Sequence, residues 1–376
     1  MVRISISTFS VAREAMFSPS RLRVARKRRG LNKTQLADRI GVDLRSVTGY
    51  ERGDYEPSND TLGRIADALR FPAAFFAGED LHEPTNRTAS FRSMARMAAS
   101  HREAALASGA LAFLLNDWIE ARFSLPEPDL LDLREEDPET AAMVLRQHWL
   151  LGEKPIRNVV HLLESKGIRV YSMAEDTAEV DAFSLWREAT PFVFLNTQKS
   201  AERSRFDAAH ELGHLVLHRH DEPRGREAEH EANRFASAFL MPRGSVLAHA
   251  PMMPTLEALI RLKHHWIVSV GALAYRLHAL GLLSEWNYRG LCIDMGQRGY
   301  RTKEPEGSQR EMSLVIPKIF AALREDGMAK ADVAAALHIE PDELDRLVFG
   351  LALMGLHTDG ASLATPRRSP NLRLVS

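Results

Sequence analysis

The sequence predicts a multidomain fold: an all-α module, then an α+β domain with a small antiparallel sheet, then a helical carboxy-terminal module. Three observations carry this. Residues 20–80 hold short helix-periodic segments separated by glycine turns. Residues 168–196 hold three β-branched and aromatic runs, followed by two long helix-forming segments. Residues 313–356 return to helical periodicity. The length of 376 residues agrees with about two to three domains. Expected boundaries are 18–80, 81–150, 151–295 and 312–357, with a disordered tail over 358–376.

In the first module, Asn32 is placed to cap a helix over Lys33–Arg39, with Leu36, Ala37 and Ile40 on its apolar face. Gly41 allows a tight turn into a second helix, Asp43–Glu51, with Val47 and Tyr50 inward. A third helix spans Thr61–Leu69. Two short helices joined by a glycine turn form a helix-turn-helix signature. Charge agrees. Ser20–Gly53 carries ten Lys/Arg against three Asp/Glu, in a chain with 49 basic and 50 acidic residues. A local basic excess of this kind is a footprint for phosphates. The run Arg26–Arg29 reads as a solvated face.

Leu31–Gly53, LNKTQLADRIGVDLRSVTGYERG, resembles the Cro/repressor (XRE-type) DNA-binding domain, with Gln35, Ala37, Gly41, Glu51 and Gly53 at family places. The resemblance implies a double-stranded DNA operator as partner, and such modules commonly form homodimers. It turns Leu44, Arg45, Thr48 and Gly49 toward the major groove, with Gln35 in the same DNA-facing set. Arg45 is the best base reader, because its fork suits guanine. Lys33 and Arg52 are assigned to phosphates.

A polar connector over 81–100 leads to a helix, Arg102–Phe123, striped by Leu106, Leu111, Leu114, Trp118 and Ile119. Helices Glu139–Leu150 and Ile156–Lys166 follow, and then strands Ile168–Met173, Val180–Trp186 and Thr190–Asn196, the last two as a hairpin. Val180–Ser184 is the edge expected to take an extended substrate by strand addition.

Behind the strands lies His210–His214, HELGH, an instance of H-E-x-x-H. On a helix the two imidazoles sit one turn apart on one face and reach one metal ion, with Glu211 beside them to hold a water. This pattern points to a zinc hydrolase of the peptidase type. A catalytic zinc takes three protein ligands and keeps one open position. His220 has the spacing of a third histidine, but Leu217 stands where that pattern needs a glycine. A carboxylate on the next helix, Arg226–Phe239 (REAEHEANRFASAF), fits better. Glu231 is favoured, with Glu227 and Glu229 as alternates.

HELGHLVLH followed by EHEANRFASAFLMP resembles the ImmA/IrrE family of zinc metallopeptidases. The resemblance implies an α+β zincin-like domain, Zn2+ as cofactor, His210, His214 and Glu231 as ligands, and Glu211 as general base. It also implies a protein substrate that is a repressor or antitoxin-like partner. Asp207 is placed to orient an imidazole, and His218 and His220 are candidates for an oxyanion donor.

Thr255–His264 and Val270–Leu280 read as helices that pack the core, and the pair His264 and His265 as chance neighbours. Residues 296–312 form a polar linker. Lys330–Phe349 has a helix–turn–helix shape opened by Pro341, and its acidic balance suggests packing or protein contact. Cys292 is the single cysteine, which excludes an internal disulfide and a thiolate-rich zinc site, and it reads as a small core residue. With no apolar run of about 18 residues, no membrane role is expected, and the place expected is the cytoplasm. Three functions fit. One is a DNA-bound zinc endopeptidase acting on a partner. The second is a transcription regulator whose peptidase-like domain is a silent sensor or dimerisation module. The third is an inactive scaffold stabilised by zinc.

Overall fold

A computed structural model describes residues 16–84, 98–173, 182–218, 225–300, 302–348 and 350–352. The amino-terminal segment, most of the 81–100 connector, Val180, Asp181, His220 and the tail from 358 onward lie outside the described residues.

Helices α1 (Pro19–Arg28), α2 (Lys33–Ile40), α3 (Leu44–Arg52) and α4 (Asn59–Leu69) build the first module. The caps explain their limits. The Asn32 side chain accepts from the Gln35 amide, while the Gln35 side chain accepts from the Asn32 amide. Gly41 then ends α2 in the left-handed conformation, at φ 66°. Asp43 and Ser58 cap the starts of α3 and α4, each side chain accepting from the amide three residues on.

The basic run of α1 is not a solvated face. Arg26 is buried against Glu51 at 2.5 Å, and Arg28 and Arg29 both bind the buried Glu343. A guanidinium at such a site needs a carboxylate to repay its desolvation, so these charges join elements rather than face solvent.

Helix α5 (Ala99–Glu120) runs against α1 and the sheet, with most of its side chains buried. Helices α6 (Pro138–His148) and α7 (Val159–Ser165) lead to the strands β1 (Arg169–Ser172), β2 (Ala182–Arg187) and β3 (Thr190–Leu195). The sheet has the order β1-β3-β2 and is mixed, not purely antiparallel as expected. The tight β2–β3 hairpin fixes one antiparallel pair. Because β3 turns inward to the centre, β1 meets its free edge in parallel. Alternation splits the faces. Tyr171, Phe183, Phe192 and Phe194 join the core shared with α5 and the first module, whereas Val170, Val193 and Leu195 join the core around the next helices.

Those are α8 (Ala201–Leu217) and α9 (Arg226–Leu240), which pack side by side. Gly213 permits the close approach. A Cβ there would stand 3.0 Å from Phe235 and 3.3 Å from the Ala232 backbone. Helices α10 (Arg243–His249), α11 (Leu256–Trp266) and α12 (Val270–Ala279) close the core. A further helix, α13 (Glu285–Gln297), was not anticipated, since most of its residues are exposed and give little apolar signal. Cys292 on it is half-buried rather than core.

The expected linker is largely a pinned strap. Glu304 accepts from the Val270 amide at 2.8 Å, and Glu311 accepts from the Val159 amide at 2.7 Å while binding Arg205. Each glutamate satisfies the open amides of a helix start. The chain then forms α14 (Val315–Glu325), α15 (Lys330–Ala336) and α16 (Pro341–Val348), and Glu343 of α16 reaches back to α1.

Candidate functional site

His210 and His214 lie on α8 four residues apart, with their Nε2 atoms 3.1 Å from one another. The Glu229 carboxylate on α9 faces both, at 3.6 Å from each Nε2, through a different oxygen for each. Among the described residues this is the one cluster with metal-ligand spacing. The fit to zinc is good. Ligand atoms at the corners of a tetrahedron with bonds of ~2.0–2.1 Å stand roughly 3.3 Å apart. Burial, with His214 nearby, pushes the His210 pKa down to about 3, so its ring is neutral and keeps a lone pair for a metal. The Asn233 side chain hydrogen-bonds His210 from one turn beyond Glu229.

Glu231, the favoured ligand in the sequence, is not brought to this cluster. It is 2.8 Å from His218 Nε2, and His218 Nδ1 is 3.1 Å from His214 Nδ1. The reason is helical geometry. Residues two apart on a helix point about 200° apart, so Glu229 and Glu231 cannot face the same point. Glu229 was one of the two alternates; Glu227 is exposed. Burial lowers the His218 pKa, although Glu231 raises it.

Glu211 is 3% exposed, and Ser184 Oγ on β2 donates to its Oε2 at 2.7 Å. The sheet thus holds the carboxylate that follows the first histidine. Sequence reading missed Ser184, whose only signal was a polar residue on an otherwise apolar strand face. Asp207 pairs with Arg203 at 3.1 Å, and burial raises its pKa to about 6. His264 binds Glu306, and His265 packs at a tilt against His249, so neither joins the cluster. A groove of about 920 Å³, lined among others by Phe206, His230, Tyr275 and Tyr288, reaches the cluster through Asn233, which also lines it.

On the first module, Leu44, Arg45 and Arg52 are exposed on α3. Thr48 is half-buried and its hydroxyl donates to Leu44 O. Gly49 is not open to a groove, because the Tyr55 ring covers it and the Tyr55 hydroxyl donates to Arg45 O at 3.3 Å. Tyr55, 49% exposed, therefore occupies the place expected of Gly49. Lys33 is held 3.3 Å from Glu51, and Gln35 is engaged in its cap.

The chain combines a helix-turn-helix module with a separate helix that carries a peptidase-type H-E-x-x-H pattern. Comparison agrees. Residues 22–76 match the helix-turn-helix family, and residues 163–278 match the IrrE N-terminal-like domain. The chain thus carries an XRE-type DNA-binding domain of the kind used in transcription regulation, followed by an ImmA/IrrE-type domain of a metallopeptidase family. It is also similar to the cryptic phage CTXphi transcriptional repressor RstR of Vibrio cholerae serotype O1, 47% identical over 49 residues. That stretch is 12% of this chain and 44% of the repressor. No helix among the described residues is long and apolar enough to cross a membrane.

Proposed function

We propose that this protein is a DNA-binding transcription regulator whose ImmA/IrrE-type domain is a zinc endopeptidase, acting on a repressor or antitoxin-like protein. The observation that carries it is the convergence of His210, His214 and Glu229 beside the Ser184-held Glu211. Zinc, when bound, would supply Lewis-acid polarisation of the scissile carbonyl and lower the pKa of water. Glu211 takes the proton from the attacking water and passes it to the leaving amine nitrogen. Ser184 keeps that carboxylate aimed. β2 is an edge strand, so an extended peptide can pair along it. The groove lined by Phe206, Tyr275 and Tyr288 suits an apolar or aromatic side chain.

The test pairs elemental analysis with cleavage of any small repressor or antitoxin-like protein found encoded beside this gene. Glu211→Gln should keep zinc and lose cutting by at least about 100-fold. Cutting by that variant at the parent rate would rule out Glu211 as the base. Zinc-loaded parent that leaves the neighbour intact, yet regulates the operator, would favour the silent-sensor reading.

A further inference from the structure

The zinc reading uses His210, His214, Glu229 and Glu211, and it leaves two polar side chains beside them without a role. His218 lies just past the end of α8, with its amide donating to His214 O at 3.0 Å. It continues the face of His210 and His214 by one further turn. Its ring contacts are directional. His218 Nε2 is 2.8 Å from Glu231 Oε2, and His218 Nδ1 is 3.1 Å from His214 Nδ1. His214 Nε2 in turn faces His210 and Glu229.

Resting on that zinc reading, we infer that Glu231 and His218 form a positioning relay that fixes the tautomer of His214 and aims its Nε2 lone pair at the metal position. A carboxylate only accepts, so the His218 proton toward Glu231 sits on Nε2. A neutral imidazole carries one proton, so His218 Nδ1 is an acceptor. The facing His214 Nδ1 must therefore be the donor. That leaves His214 Nε2 bare, on the side where a metal ligand needs its lone pair. With both rings neutral, reversing any one bond would set two lone pairs or two protons against each other.

The relay explains why α9 carries two glutamates two residues apart. Glu229 faces the metal position directly, and Glu231 acts on it through two rings. The His218 side chain is 8% exposed and that of Glu231 is 32% exposed, so water competes at the outer end alone. Neither residue touches the reacting atoms in this arrangement. They are positioning residues.

The experiment uses the full chain labelled with 15N-histidine and stripped with chelator. Long-range 15N–1H correlation should show His218 protonated at Nε2 and His214 at Nδ1. His214 protonated at Nε2 instead would overturn the relay. Zinc affinity is then measured by chelator competition. Glu231→Ala should bind one zinc with affinity lowered about 10–100-fold. Glu231→Gln, whose amide oxygen can still accept, should recover most of the loss. Parent-like affinity in Glu231→Ala would show the relay idle, and total loss of zinc would make Glu231 itself a ligand, so either outcome overturns the proposal. A parent that binds no zinc would sink the peptidase reading alone, because the tautomers of the stripped protein still decide the relay.

Discussion

At the scale of single residues, Glu229 and Glu231 show what decides which carboxylate faces a histidine pair. Both lie in one amphipathic stretch, and the spacing to His210 admits either. The choice depends on how α9 is rolled against α8, which Gly213, Ala232 and Phe235 set by close packing. The spacing of the glutamates alone does not encode that roll. The pair His210 and His214 was legible because its spacing lies within one helix. Glu229→Ala should drop bound zinc to background, whereas Glu231→Ala should keep one equivalent, both read by elemental analysis. Ser184→Ala should retain zinc and slow cleavage roughly tenfold, since a buried carboxylate then loses one hydrogen bond.

At the scale of elements, α2, α3 and α4 were readable to within about two residues at each end, whereas α1 was not anticipated and its basic run was misread. Asn32, Gly41, Asp43 and Ser58 write their caps into the chain. The groove-facing surface was less legible, because Tyr55 comes from the loop after α3 and folds back over Gly49. Arg45→Ala should cost about 1–3 kcal/mol of operator discrimination in binding titrations. Gly49→Ala is a sharper probe of the Tyr55 placement. The added methyl would meet the ring at 2.5 Å. Moving a flexible ring costs about 1 kcal/mol or more, and the helix gains about as much from alanine. Thermal melting should hardly change, while operator affinity falls as Tyr55 is displaced. Unaltered affinity would place Tyr55 off the DNA. The α13 helix went unseen for a simpler reason: a largely exposed helix buries too narrow a stripe to show a period.

At the scale of the molecule, Glu343 joins the two ends of the chain. Its contacts with Arg28 and Arg29 span more than three hundred positions of sequence, which no local pattern announces. Burial pushes its pKa up, but the Arg28 and Arg29 charges prevail and hold it below the ordinary 4.5. Its folded pKa is thus lower than its unfolded one. Its contribution is present above about pH 4.5 and is lost as pH falls through the folded value. Melting curves from pH 7 to pH 3.5 should show that loss in the parent and a flatter profile in Glu343→Gln. Glu343→Ala, which strands Arg28 in the interior, should cost roughly 3–5 kcal/mol at pH 7.

The aromatic side of the β-sheet belongs to the same core as α1, α5 and the carboxy-terminal helices. A helix-turn-helix domain mounted this way is no tethered passenger. Cut free as a fragment, it would present a greasy underside and clump, where an autonomous repressor head would stay dispersed. Whatever passes between the helix-turn-helix end and the peptidase-family end therefore travels through shared packing rather than along a leash.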